Sequence, residues 1–218
     1  DLYRVLKICR KLWRASNGNF DPTFLAVKRL WQEAEEKQQI PSARMIQKAL
    51  AATGFDKVAL RPENGGEIRL RKQGIQFDFG GIAKGYAIDC VRRHLAEQGC
   101  RRGLIQLGGE IAAFGKGLKD HWRIGVQHPL RMNGVWGILS AEDGIRVSTS
   151  GNYRQPIRIQ GQRLYHIFSP KTGRPVSEKV LGVTTASSGD SKANALLDGA
   201  ATAATVMGST DGISLARC

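Results

Sequence analysis

The chain of 218 residues predicts an α+β fold, with helices gathered at both ends and mostly antiparallel strands filling the middle. Three observations point that way. Apolar residues recur at helical spacing through the first fifty positions, as Leu2, Val5, Leu6 and Ile8 and again as Phe24, Val27, Leu30 and Trp31. From residue 57 the period shortens to two, as in Glu67-Ile68-Arg69-Leu70-Arg71, with the turn residues Asn64-Gly65-Gly66 ahead of it. Near the end, a run of mostly Ala, Leu and Val predicts a buried helix over 193–207.

Taken in order, a first helix covers 2–15, and Asn17-Gly18-Asn19-Phe20-Asp21-Pro22-Thr23 forms a turn-rich loop before the second. A third helix opens at Pro41-Ser42 and ends near Gly54. Strands are expected at 58–60, 68–70 and 75–79. A helix from 83 to 98 follows, with Ala87, Ile88, Val91 and Leu95 on one face. Further strands are expected at 103–107, 122–127, 135–140, 156–159, 163–168 and 180–186. Hairpins dominate, which argues against a doubly wound parallel sheet. No repeat or low-complexity linker divides the chain, so residues 1–218 read as a single domain.

Composition narrows the function classes. Hydrophobic residues make up 41% and charged residues 24%, ordinary values for a packed globular domain. No apolar stretch approaches the roughly 20 residues of a membrane helix. The chain opens at Asp1 directly in a helical pattern, with no leader visible. Lys and Arg number 33 against 19 acids, a formal charge of +14 that suits a phosphate-rich ligand. The basic residues are spread along the chain and aromatics are 7%, so no specific nucleic-acid partner is expected. Cys9, Cys90, Cys100 and Cys218 have no metal-ligand spacing, and Cys90 reads as a small core residue.

Three stretches carry chemistry. In Phe77-Asp78-Phe79-Gly80-Gly81-Ile82-Ala83-Lys84-Gly85-Tyr86 a strand ends in two glycines and a helix begins at once, which offers main-chain N–H groups to an anion. Lys84 falls in the helix's first turn, the unfavourable end for a cation, so an anionic ligand rather than an acidic side chain is expected beside it. In the last helix Asn194, Asp198 and Thr202 share one face, and a carboxylate among apolar residues there needs a partner or a cation. Carboxylate and hydroxyl oxygens suit a hard ion such as Mg²⁺. The third stretch joins Ser148-Thr149-Ser150-Gly151-Asn152-Tyr153 to Tyr165-His166-Ile167-Phe168-Ser169-Pro170-Lys171-Thr172-Gly173. Of the four histidines, His166 is the best candidate for proton transfer.

In this order the segments resemble the ApbE family, the FAD:protein FMN transferases. Asn19-Phe20-Asp21-Pro22-Thr23 is similar to that family's Phe-Asp-Pro-Thr loop, and Asp78 to Ala87 to its central motif. Leu107-Gly108-Gly109-Glu110 resembles its Gly-Gly-acid turn, and Trp122 to Pro129 its Trp…Gly…Pro strand. Ser148-Thr149-Ser150-Gly151, Tyr165-His166-Ile167, Pro170-Lys171-Thr172-Gly173 and Asp198…Thr202…Val206-Met207-Gly208 complete the series. The resemblance implies two lobes around a cleft for FAD and metal. It assigns the Gly81 carbonyl, Asp198 and Thr202 to Mg²⁺, and Asn19, Phe20, Asp21, Asp78, Lys84 and Ile167 to FAD. The implied activity is transfer of FMN to a Thr or Ser hydroxyl of an acceptor protein, with AMP leaving, in the periplasm or cell envelope. An FAD pyrophosphatase and a non-catalytic FAD-binding protein are the alternatives.

Family members usually extend further at both ends, so the chain reads as a shortened form. Phe168-Ser169 stands where the family usually has Ile-Asp. The last helix carries roughly one extra turn, which leaves two metal pairs open, Asp198 with Thr202 or Asn194 with Asp198.

Overall fold

The central sheet explains the order of the elements. The computed structural model describes residues 1–63, 66–117, 120–131, 133–151, 156–176, 180–189 and 193–216. Three helices come first: α1 (Leu2–Ala15), α2 (Leu25–Glu36) and α3 (Ala43–Ala51), the last capped by the Ser42 hydroxyl, which accepts from Met45 N at 3.3 Å. A small hairpin of β1 (Val58–Arg61) and β2 (Glu67–Leu70) leads to α4 (Ala83–Glu97). Then β3 (Gly103–Leu107), β4 (Glu110–Phe114), β7 (Gly144–Gly151) and β10 (Gly182–Ser188) build an antiparallel sheet in the order β10-β7-β4-β3. Two hairpins are excursions from it: β5 (Trp122–Gln127) with β6 (Val135–Ala141), and β8 (Ile157–Ile159) with β9 (Gln162–Leu164). The chain then forms α5 (Asn194–Met207) and α6 (Ser209–Ala216).

Among the described residues, apolar burial divides into three clusters. Val5, Leu6, Cys9 and Leu12 of α1 pack with Phe20, Phe55, Val58, Ile82, Ala195 and Ala203. Phe24, Val27 and Trp31 join Ile46, Ile157, Ile159 and Phe168 in a second. Ile145 and Val147 close the sheet onto Ile124 of the β5–β6 hairpin. Helix α5 lies across β4, β7 and β10 and also meets α1, α4 and α6.

Several expectations are corrected. Residues 75–79 are not a strand: Gln76 makes one parallel bridge to Phe24, and Asp78 N donates to the Pro22 carbonyl at 2.7 Å. Pro22 has no N–H to return, so the ladder goes no further. The strand expected over 163–168 stops at Leu164, where the chain bends into a turn with Ser169 N donating to the Arg174 carbonyl. Strands β4 and β7 and helix α6 were absent from the sequence expectation. Cys9, not Cys90, is the core cysteine, and burial pushes its thiol up to about 12. Asn64, Gly65, Asn152, Tyr153 and Cys218 lie outside the described residues.

Candidate functional site

The start of α4 is built to receive a carboxylate. Its first N–H groups have no partner within the helix. Gly85 N finds one in Asp198 Oδ2, at 3.0 Å, across the seam to α5. Close approach is possible because position 85 lacks a side chain: a Cβ there would sit 2.4 Å from the Asn194 carbonyl oxygen. Asp198 is 1% exposed, so its charge meets a helix N-terminus instead of water.

Lys84 lies between two buried acids. Its Nζ is 3.3 Å from Glu110 Oε1 and 3.6 Å from Asp198 Oδ1. This corrects the expectation that Lys84 avoids acidic side chains. The glycine turn before Glu110 makes the contact possible. Gly108 and Gly109 have φ of +58° and +100°, and a Cβ on Gly108 would press the lysine stem at 3.1 Å from Cδ. Glu110 itself is 1% exposed, and its Oε2 has no hydrogen-bond partner among the described residues.

The charges do not balance. One ammonium faces two carboxylates in a buried site. Burial raises the Glu110 carboxyl above its usual range, and the charge of Asp198 raises it further, while Ser148 and Lys84 pull it back. The Ser148 hydroxyl acts there by proximity, since it makes no hydrogen bond among the described residues. Burial also raises Asp198, against the opposing pull of Lys84 and Gly85 N–H.

Strand β7 supplies the floor. Its alternation points Arg146, Ser148 and Ser150 to one face. Arg146 Nη1 donates to Asp89 Oδ1 at 2.9 Å, and Ser150 Oγ lies 2.9 Å from Thr202 Oγ1. Thr202 in turn touches Gly81, where an added Cβ would come within 2.9 Å of Oγ1. Gly81, Thr202 and Ser150 are thus direct neighbours, one helical turn along α5 from the group of Lys84, Glu110 and Asp198. Asn194 is engaged elsewhere: its Nδ2 donates to the Ile111 carbonyl at 2.9 Å and its Oδ1 accepts from Arg146 at 3.4 Å.

The other predicted residues have mixed placements. Asp78 Oδ1 accepts from Gly80 N at 3.0 Å and Oδ2 pairs with Lys28 at 2.8 Å, at the mouth of the glycine turn. Asp21 is a local knot: it accepts from Thr23 N, Thr23 Oγ1 and Phe55 N, with burial raising its carboxyl against those bonds. Asn19 Nδ2 donates to the Ser16 carbonyl at 2.8 Å. Phe20 is a core residue, 3.4 Å from where a Cβ on Gly199 would lie. His166 and Ile167 are half-buried just beyond β9, where the Ile167 carbonyl accepts from Val176 N at 2.9 Å. Sequence reasoning assigned no role to Glu110, although the Gly-Gly-acid turn was its signal.

Among the described residues, no group of three or more His, Cys, Asp or Glu side chains is arranged to hold a metal. The oxygen donors at Gly81, Asp198 and Thr202 are a different kind of set.

Comparison with known proteins gives one consistent result. The family model of the ApbE family matches residues 1–218. A Klebsiella pneumoniae (strain 342) protein named FAD:protein FMN transferase is 30% identical over 186 residues, covering 83% of this chain and 53% of that protein. A Rhodobacter capsulatus protein of the same name is 32% identical over 212 residues, covering 96% of this chain and 39% of that protein. The ApbE protein of Thermotoga maritima superposes with a TM-score of 0.85 at 30% identity, over 98% of this chain and 68% of that one. The apo form of Pseudomonas stutzeri flavinyl transferase ApbE gives 0.80 at 29%, over 99% and 65%. The chain spans about half the length of several curated relatives it matches.

Proposed function

We propose that this chain, which belongs to the ApbE family, transfers FMN from FAD to a Thr or Ser hydroxyl of an acceptor protein in a magnesium-dependent reaction that releases AMP. The observation that carries the reading is the surplus negative charge at the α4–α5 seam, where Glu110 and Asp198 share one lysine. A buried acid pair of this kind favours an added cation. The donors fit a hard ion: the Gly81 carbonyl, the Asp198 carboxylate and the Thr202 hydroxyl would hold Mg²⁺, and the buried Glu110 Oε2 adds negative potential. When bound, the ion offsets charge on a diphosphate.

The remaining steps belong to the chain. Lys84 stands at the helix N-terminus, where its ammonium serves an incoming phosphate by giving up part of its contact with the two acids. Asp78, at the mouth of the glycine turn, orients the flavin nucleotide, and Asn19, Phe20, Asp21 and Ile167 shape its surroundings. The acceptor hydroxyl oxygen forms a bond to the FMN-side phosphorus as the bond to AMP breaks, and His166 takes the hydroxyl proton.

Incubation with FAD, Mg²⁺ and an acceptor protein tests the proposal. AMP together with flavinylated acceptor is the expected result. AMP with free FMN would indicate a pyrophosphatase, and intact bound FAD a carrier.

A further inference from the structure

A second charged cavity lies behind α4. Lys84 and Tyr86 are about 200° apart around the helix, so the cavity faces away from the Lys84 site. It measures about 480 Å³, and its walls come from α1, α4, β7 and the start of α5. Arg4, Lys7 and Lys11 line it from one face of α1, and Arg93 faces them from α4. The Tyr86 hydroxyl donates to Asp1 Oδ1 at 2.9 Å and so ties the two helices together at the rim.

Arg146 is paired with Asp89, but the other four cations lining this cavity have no carboxylate partner among the described residues, and Arg93 donates only to Cys90 Sγ at 3.6 Å. The carboxylate in its wall, Asp89, is already spent. Its Oδ1 accepts from Arg146 and Asn194 N, and its Oδ2 from Ala195 N, each at 2.9 Å. None of Arg4, Lys7, Lys11 and Arg93 forms a salt bridge with a described residue. Burial raises the Tyr86 phenol and Cys90 adds to that, while the charges of Arg4 and Arg93, which line the same cavity, pull it back. Tyr86 and Ile8 add an apolar wall to the cationic one.

From this juxtaposition we infer a binding site for a small organic phosphate carrying two or more negative charges. Four cations from two helices match a diphosphate better than a single carboxylate, and the volume exceeds what inorganic phosphate fills. The organic part lies along Tyr86 and Ile8. The site gives a specific use to part of the +14 charge.

Calorimetry with inorganic pyrophosphate and with ADP tests the site, performed in the Lys84→Met background so that binding at the other site does not contribute. Both probes are expected to bind, ADP more tightly, and affinity falls by about tenfold or more in Lys7→Glu/Lys11→Glu. FAD affinity of the otherwise unaltered chain stays the same in that double variant. Arg93→Gln, on the other helix, repeats the loss should the α1 variant fail to fold. Absence of pyrophosphate and ADP binding, or binding that survives both sets of changes, overturns the inference. So does capture on phosphatidylglycerol vesicles but not phosphatidylcholine vesicles, lost with the same substitutions while the soluble probes remain unbound, since that outcome identifies a lipid surface.

Discussion

The α4–α5 seam and the aromatic cluster around α2 are both buried, yet they are held together in opposite ways. Around α2, Phe168 packs on Phe24 and Trp31 with ring centroids 5.7 and 5.8 Å away, and the Trp31 indole N–H donates to the Gly173 carbonyl at 2.7 Å. Every polar group named there is matched. Across the seam, Glu110 has a buried oxygen with no hydrogen-bond partner among the described residues and shares a lysine with Asp198. The first arrangement stabilises the fold through apolar contact. The second holds charge at a cost that only a function, or a bound cation, offsets. Substitutions in the two regions should therefore separate activity from stability.

The largest separation is expected at Asp198. Asp198→Ala should lower Mg²⁺-dependent AMP release by about a thousandfold, roughly 4 kcal/mol of barrier, while the circular dichroism spectrum is retained. Turnover near wild type at saturating Mg²⁺ would remove Asp198 from the site. Next comes Phe168→Ala, which should cost about 3 kcal/mol of unfolding free energy in urea by opening a cavity between Phe24 and Trp31. A small change there would mean that the cluster collapses around the gap.

Gly85→Ala tests the seam's spacing. The added Cβ would meet the Asn194 carbonyl at 2.4 Å, so α4 and α5 must separate, at about 2 kcal/mol of stability. FAD affinity should fall with it, because the Asp198–Gly85 bond is broken at the same time. Unchanged melting would show that the helices shift without cost.

The smallest effect concerns pH. Glu110 and Asp198 both titrate above their ordinary range in the folded chain, chiefly through burial, so the folded state takes up protons more readily than the unfolded one. Their contribution is then fully present below the ordinary carboxyl range and is lost as pH rises through the raised folded values. In a chelator, melting temperature from about pH 4 to about pH 8 should carry this downward term, and Glu110→Gln should flatten it. Added Mg²⁺ should restore more stability at the upper end of that range than at the lower. An identical profile for Glu110→Gln would assign the term elsewhere, with Asp21, also raised by burial, the first place to look.

The two regions also differ in how well they can be read from sequence. Around α2, the periodicity of Phe24, Val27, Leu30 and Trp31 gives the helix and its buried face directly. At the seam, α4 and α5 are legible, but β4 and β7 between them are not. In β4, Glu110-Ile111-Ala112-Ala113-Phe114 shows no apolar–polar alternation, because both faces are covered. In β7, the face carrying Arg146, Ser148 and Ser150 is polar yet buried or half-buried, turned to Asp89, Glu110 and Thr202. Hydroxyls around Gly151 therefore carry no strand signal. Helix α6 was missed because Gly208, at φ +87°, ends α5 and the chain resumes a helix at the next residue.

Sequence alone determined the α+β class, the helices α1 to α5, the glycine turns and the family resemblance. These rest on caps, periods and motifs that act over a few residues. Tertiary structure decided which charges meet. Gly85 and Asp198 are 113 positions apart and Ser150 and Thr202 are 52 apart, and no local pattern encodes such pairings. Lys84 illustrates the limit. Its place in the first turn of a helix called for a negative charge nearby, since an unopposed cation there works against the helix dipole, but the expectation of a ligand anion rather than an acidic side chain did not hold. That the charge belongs to Glu110 and Asp198 followed only from bringing β4 and α5 to the same helix end.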